Sequence, residues 1–173
     1  YTKTANLHQH GGFHRISPMR DFQTPTRSAV YASTAMAATS HPRATLAAIE
    51  TLRTGGNAMD AAVCAAAVLA IVEPQMTGIG GDCFVLYAPK RGPADKKVIA
   101  YNGSGAAVAA ADASWYLDRG MDAIPYTSPH AVTIPGAVEA WHRLTVDHGR
   151  KEFADLLHPA IELAENGYPV PPR

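Results

Sequence analysis

The stretch that most constrains this chain lies between Gly55 and Pro74. There Gly55-Gly56-Asn57 leads into Met59 to about Glu73, a run made almost entirely of Ala, Val, Leu and Ile and interrupted by Asp60. A helix apolar on every side is buried over most of its circumference. Whatever the chain folds into must therefore wrap other elements around this one, and the alanines let those neighbours come close. The longest apolar stretch, Ala58 to Val72, falls short of the roughly 20 residues a membrane span needs. Pro74 ends the helix.

The remaining elements are arranged around it. Ser40-His41-Pro42 marks an earlier helix start, because a proline loses nothing in a first turn. Ala44, Ala47, Ala48, Thr51 and Leu52 follow at helical spacing, and Gly55-Gly56 stops that helix. Ser28 to Ala37 mixes β-branched, aromatic and small residues and predicts a strand. Cys83 to Tyr87 and Val98 to Tyr101 flank a charged loop, Pro89 to Lys97, and predict a hairpin. A short helix is expected over Asp112 to Arg119. Gly136 to His148 should be helical with Val138, Trp141, Leu144 and Thr145 on one face. Phe153 to Asn166 should present Leu156, Leu157, Ala160, Ile161 and Ala164, with a kink or restart near His158 caused by Pro159. Strands with helices packed on them make an α+β arrangement. Residues 1–27 are polar and aperiodic and read as a poorly packed arm. Residues 28–173 read as the ordered part.

Composition excludes several function classes. With 15 Lys plus Arg against 15 Asp plus Glu the formal net charge is zero. A nucleic-acid binder would show a basic excess, and an anionic membrane surface would require a polybasic patch. Apolar residues make up 47% and charged residues 17% of the 173 residues, too apolar and too weakly charged for disorder. Such low charge suits a surface that partly meets other protein, and a higher oligomer is compatible with it. No signal-peptide pattern stands at the N-terminus, so the expected location is cytoplasmic, or periplasmic or extracellular if a leader was removed. Cys64 and Cys83 read as small buried thiols, with a disulfide between them left open. His8, His10 and His14 lack a carboxylate or thiol at ligand spacing, so no metal site is expected there.

Self-sufficient catalytic chemistry is not visible. The cluster Gly78-Ile79-Gly80-Gly81 precedes a strand, the reverse of a dinucleotide fingerprint. It is expected to serve positive φ or close approach of another segment. No serine sits in a GxSxG elbow, and His41, His130, His142, His148 and His158 occur singly. Trp115 and Trp141 have spacing suited to packing. The better candidate is Asn102-Gly103-Ser104-Gly105 at a strand end, where short polar side chains and free amides can line a pocket for a small polar substrate. An ordinary turn accounts for the same residues.

The run Arg53-Thr54-Gly55-Gly56-Asn57-Ala58-Met59-Asp60-Ala61-Ala62 combines with Glu73-Pro74-Gln75, Gly78-Ile79-Gly80-Gly81-Asp82 and Thr133-Ile134-Pro135-Gly136. In this combination the chain closely resembles the γ-glutamyltransferase family of N-terminal nucleophile hydrolases, from about Ser28 through Glu165-Asn166-Gly167-Tyr168. The resemblance implies an αββα sandwich of which this chain is one part. It also implies a proenzyme that cuts itself into large and small subunits. The nucleophile is then the N-terminal threonine of the small subunit, with its own α-amino group as base. The residues here correspond to the front of the large subunit and supply no catalytic residue. The implied partners are the small-subunit chain carrying the threonine, the remainder of the large subunit and a small-molecule amide substrate. No metal or organic cofactor is implied.

One departure stands out. Typical γ-glutamyltransferases place an arginine after the second hairpin strand to grip the α-carboxylate of the glutamyl group. The matching position here falls at Asn102 or Gly103, which supply no charge. The form with Asn102-Gly103-Ser104-Gly105 and Gly80-Gly81-Asp82 looks like the branch that includes oxamate amidohydrolase. The expected function is hydrolysis, or acyl transfer, of a small amide, with Asn102, Gly103 and Ser104 near the substrate. The alternatives are a true γ-glutamyltransferase acting on glutathione-like donors, and a non-catalytic binding or structural fragment. An interior helix also predicts that Ala62→Glu or Ala66→Glu abolishes soluble maturation.

Overall fold

The computed structural model describes residues 29–89 and 98–170. The expected arm over 1–27, with His8, His10 and His14, lies outside the described residues, as does most of the charged hairpin loop. The chain divides into a unit of residues 1–33 and a unit of residues 34–173. In the first, residues 29–33 carry neither helix nor strand, and Val30 and Tyr31 are exposed.

The second unit begins with α1 (Pro42–Arg53) and α2 (Ala58–Val72), then β1 (Phe84–Tyr87) and β2 (Ile99–Asn102). After these come α3 (Ala113–Leu117), a 3-10 turn at Pro129–Ala131, α4 (Ala137–His148) and α5 (Phe153–Asn166). α1 starts where Pro42 predicts, but its cap is the imidazole of His41, whose Nδ1 accepts the Arg43 N–H at 3.1 Å. It stops at Thr54, and Gly55 follows at φ 95°, a conformation that costs a side-chain-free residue little.

α2 opens on a reciprocal cap. Asn57 Oδ1 accepts the N–H groups of Met59 (2.9 Å) and Asp60 (3.1 Å), while the Asn57 N–H donates to Asp60 Oδ2 at 2.7 Å. Asp60 is wholly buried and also accepts the N–H groups of Arg150 at 3.0 Å and Lys151 at 3.4 Å. Asn57 Nδ2 donates to the His148 carbonyl at 2.6 Å. The Asn57 and Asp60 pair thus ties the start of α2 to the turn between α4 and α5. Gly149 belongs to the same knot, because a Cβ there would stand 2.6 Å from Asp60 Oδ1.

The core sits around α2, which packs against α1, α5 and α4. Met59, Val63, Cys64 and Val68 meet Ala44, Ala47 and Ala48 of α1, Trp141 and Leu144 of α4, and Leu156 and Ala160 of α5 in one buried cluster. Tyr168 reaches back from beyond α5, its hydroxyl donating to the Val72 carbonyl at 2.9 Å. β1 and β2 form a two-stranded antiparallel sheet in the register Phe84 to Asn102 and Tyr87 to Ile99. No described helix is long and apolar enough to cross a membrane.

Several expectations are corrected. Residues 29–37 form no strand, since β-type composition makes a strand only where a neighbour supplies ladder bonds. α5 runs unbroken through Pro159 with no restart at His158. Leu156 and Ala160 are buried on either side of the proline, and α5 packs along α2, which holds both halves in one helix. Val138, Ile161 and Ala164 face outward, because the buried stripe of each helix is narrower than its apolar content. Ala62 is exposed and Ala66 half-buried, so the positions of α2 that test an interior helix are Cys64, Ala65 and Val68. The α+β class is observed. A second sheet and a full sandwich are not found among the described residues.

Candidate functional site

Three separated segments converge at the open end of the hairpin. The ladder continues one residue past β1 and β2: the Gly103 N–H donates to the Cys83 carbonyl at 2.7 Å and the Cys83 N–H donates to the Gly103 carbonyl at 3.3 Å. Just before it, the Gly81 carbonyl accepts the N–H groups of Gly136 (3.1 Å) and Ala137 (3.0 Å). This satisfies the first orphan donors of α4, which has no side-chain cap. The Ile134 N–H donates to the Ala106 carbonyl at 3.0 Å, laying 133–136 against 104–106.

These approaches leave no space for side chains. A Cβ at Gly105 would fall 1.3 Å from the Ile134 carbonyl oxygen, and one at Gly136 would fall 2.4 Å from the Gly103 carbonyl oxygen. One at Gly103 would meet the Ala140 Cβ at 2.5 Å. Close approach is therefore the reason for glycine here, and it acts at 103, 105 and 136. At Gly78 and Gly80, where the sequence suggested it, a Cβ would meet nothing within 4 Å and neither residue has positive φ.

The turn 102–105 is held from both ends by side-chain oxygens. Asn102 Oδ1 accepts the Ser104 N–H at 3.0 Å and the Ser104 hydroxyl at 2.7 Å. Asp82 Oδ1 accepts the Gly105 N–H and the Thr133 hydroxyl, each at 3.2 Å. Of the expected substrate contacts, Asn102 is exposed, Ser104 half-buried and Gly103 buried. Both backbone groups of Gly103 are spent in the ladder, and the Ser104 amide is turned onto Asn102. Asn102 is the exposed residue of the three, and with its Oδ1 engaged by Ser104 the side-chain NH2 is its remaining polar group. Asp82 and Thr133 went unassigned as anchors in the sequence reading, although each lies inside one of the segments quoted for the family resemblance.

The other candidates sit elsewhere. His41 caps α1, His142 packs edge-on to Phe153 at 5.4 Å, and His148 lies 5.2 Å from Tyr87. His158 pairs with Glu162 on the surface. His130 stands with Trp115 and Tyr116 in a small aromatic group. Trp115, expected to pack inside, is 39% exposed and carries the Arg119 guanidinium over its ring at 4.0 Å, whereas Trp141 is buried. Cys64 and Cys83 are both free, and burial pushes both thiols above their ordinary range, where they are weak nucleophiles. Among the described residues no group of three His, Cys, Asp or Glu side chains could hold a metal ion.

The family model for gamma-glutamyltranspeptidase matches residues 44–173. The chain belongs to the gamma-glutamyltranspeptidase family. It is 41% identical over 136 residues to the glutathione hydrolase-like YwrD proenzyme of Bacillus subtilis, covering 78% of this chain and 25% of that protein. It is also 41% identical over 141 residues to the oxamate amidohydrolase proenzyme of Klebsiella pneumoniae, covering 78% of this chain and 26% of that protein. The structure superposes on the cephalosporin acylase from Bacillus halodurans with a TM-score of 0.78 and 38% identity, over 91% of this chain and 28% of that one. The chain thus spans about a quarter of the length of these relatives.

The gamma-glutamyltranspeptidase family is a family of enzymes, and these relatives are proenzymes. Two of the segments that carried the family resemblance, 78–82 and 133–136, thus meet the segment 102–106 although all three lie far apart in sequence. The helical segment at 53–62 does not join them. Its Asn57 and Asp60 are committed to capping α2 and holding the turn after α4.

Proposed function

We propose that this chain is the front part of the large subunit of a self-processing gamma-glutamyltranspeptidase-family hydrolase that cuts a small amide. In this reading the attacking group is the hydroxyl of an N-terminal threonine on sequence outside these residues. Its own α-amino group takes the hydroxyl proton and passes it to the leaving amine as the C–N bond breaks. Water then cleaves the acyl ester and regenerates the threonine. The residues described here supply a wall of the site, with Asn102 directed at the substrate and Ser104 behind it. The same reading makes the hairpin part of a larger αββα sandwich, with the small subunit and the rest of the large subunit as partners.

The observation that carries the proposal is the exposed, neutral Asn102 at the end of β2, whose side-chain oxygen is taken up by Ser104, leaving the amide NH2 as the group it can offer a substrate. An uncharged amide donor suits a carbonyl or amide oxygen better than it suits a carboxylate, which favours a guanidinium fork. The relatives named as an oxamate amidohydrolase and a cephalosporin acylase are consistent with amide substrates outside the γ-glutamyl class. The test is a panel of γ-glutamyl anilide and small amides offered to the full-length processed enzyme. Amide hydrolysis with weak γ-glutamyl turnover is expected. Robust γ-glutamyl transfer would sink the proposal.

A further inference from the structure

We infer that Asp82 is a positioning residue for substrate binding, acting through the turn 102–105 and not by touching the substrate itself. The inference rests on the reading of Asn102 as a substrate contact and adds a residue that fixes where that contact points.

Asn102 is the last residue of β2, and the ladder closes one residue later on the Gly103 and Cys83 pair, so nothing beyond Gly103 is held by the sheet itself. Beyond it the chain runs on without regular structure, and three donors must be taken up for 102–105 to hold one shape: the Ser104 N–H, the Ser104 hydroxyl and the Gly105 N–H. Asn102 takes the first two with its own Oδ1, but that local interaction fixes only the near half of the turn. The far half is fixed by Asp82 Oδ1, from the loop before β1, on the Gly105 N–H. The same oxygen accepts the Thr133 hydroxyl, from the segment leading into α4. One carboxylate oxygen therefore joins the glycine loop, the turn and the α4 approach at the point where all three meet.

Sterics prevent the turn from sliding closer to its neighbours but not from lifting away. A Gly105 Cβ would overlap the Ile134 carbonyl, so 105 and 134 are in contact already. Lifting is opposed by the Ile134 to Ala106 hydrogen bond and by Asp82. Hydrogen bonds to a charged acceptor are the stronger kind. Loss of the Asp82 anchor would free the Gly105 end of the turn and, with it, the orientation of the Asn102 amide. A contact misplaced by an ångström loses much of its binding value.

Both oxygen-mediated bonds use an acceptor that an asparagine also possesses. Asp82→Asn keeps a carbonyl oxygen at the same place, and Asp82→Ala removes it. Asp82 lies in an exposed loop, so neither change disturbs the core.

The experiment is a double-mutant cycle on the full-length processed enzyme with a small amide it turns over. KM and kcat are followed for Asn102→Ala, Asp82→Ala, Asp82→Asn and the Asp82→Ala/Asn102→Ala double variant. Asp82→Ala should raise KM about tenfold with kcat changed much less. Asp82→Asn should restore KM to within about twofold of the wild type. The double variant should be no worse than Asn102→Ala alone, because a positioning residue has nothing left to position. If Asn102→Ala raises KM but the two effects multiply in full, or Asp82→Ala leaves KM unchanged, the positioning role is overturned while the substrate contact stands. If Asn102→Ala itself leaves KM unchanged, the contact falls and the positioning role falls with it.

Discussion

The helical layer of α1, α2, α4 and α5 and the hairpin with its flanking loops use the same kinds of residue to opposite effect. In the helical layer, apolar side chains close on one another around α2, and the wholly buried carboxylate of Asp60 is surrounded by N–H donors. In the hairpin, Val85 and Tyr87 turn toward that core while Phe84 and Leu86 stand 69% and 79% exposed on the other face. A strand apolar on both faces is the pattern of a sheet buried on both sides. The helical layer buries its core with side chains of this chain, whereas the hairpin presents a second apolar face, with Phe84 and Leu86, that is largely exposed. The candidate site lies on the hairpin side, where backbone approaches and polar anchors, and not side-chain burial, set the geometry.

That contrast can be attacked at its strongest point. Replacing Asp60 with alanine removes the acceptor of the Asn57, Arg150 and Lys151 N–H groups in a buried setting. The expected loss is about 4 kcal/mol, read as a fall in the urea midpoint, since stranded donors each cost about 1–3 kcal/mol. A loss below about 1 kcal/mol would mean that water reaches the knot and that the helical layer is no more closed than the hairpin.

A pair of truncations sharpens the contrast. Leu144→Ala empties a fully buried site and should cost about 3 kcal/mol. Leu86→Ala, on the outer hairpin face, should cost less than about 0.5 kcal/mol in the 173-residue chain. In the full-length protein it should cost about 2 kcal/mol, if the two-sided apolar pattern means burial by the remaining sequence. Equal small losses in both would show that the outer face stays in water and would weaken the expectation of a sandwich.

The smallest effect concerns α3, in the loop region. Asp112 caps that helix by accepting the Ser114 hydroxyl and N–H, and these bonds hold its carboxyl below the usual range. A folded value below the unfolded one means that the contribution is present above the ordinary carboxylate range and is lost as pH falls through the folded value. Acidification should therefore loosen α3 locally, seen as faster amide exchange at Ser114, while amides of α2 remain protected. Simultaneous loosening of α2 would argue that the two regions unfold as one.

Legibility in the sequence differed between the same two regions. α1, α2, α4 and α5 were readable to within a residue or two, because proline and glycine mark their ends and a buried helix shows as an uninterrupted apolar run. The burial of individual positions was less readable: Val138, Ile161 and Ala62 are apolar and outward-facing, since helical periodicity shows a stripe but not its width. The strand expected over 28–37 failed for a related reason, as a strand is a property of a pair of segments. In the candidate site, Asn102, Gly103 and Ser104 were recognisable as a polar segment at a strand end. That Gly103 packs on Ala140 and spends its amide on Cys83 was not.

By itself the sequence determined the family, through glycine-rich segments whose combination is specific, and the central buried helix, through a composition that water would not tolerate. Only the tertiary structure decided which glycines are obligatory and which polar side chains hold the turn. Those properties depend on the approach of 81–83, 102–106 and 133–137 to one another, and hydrogen bonds between segments so far apart along the chain leave no periodic trace in it.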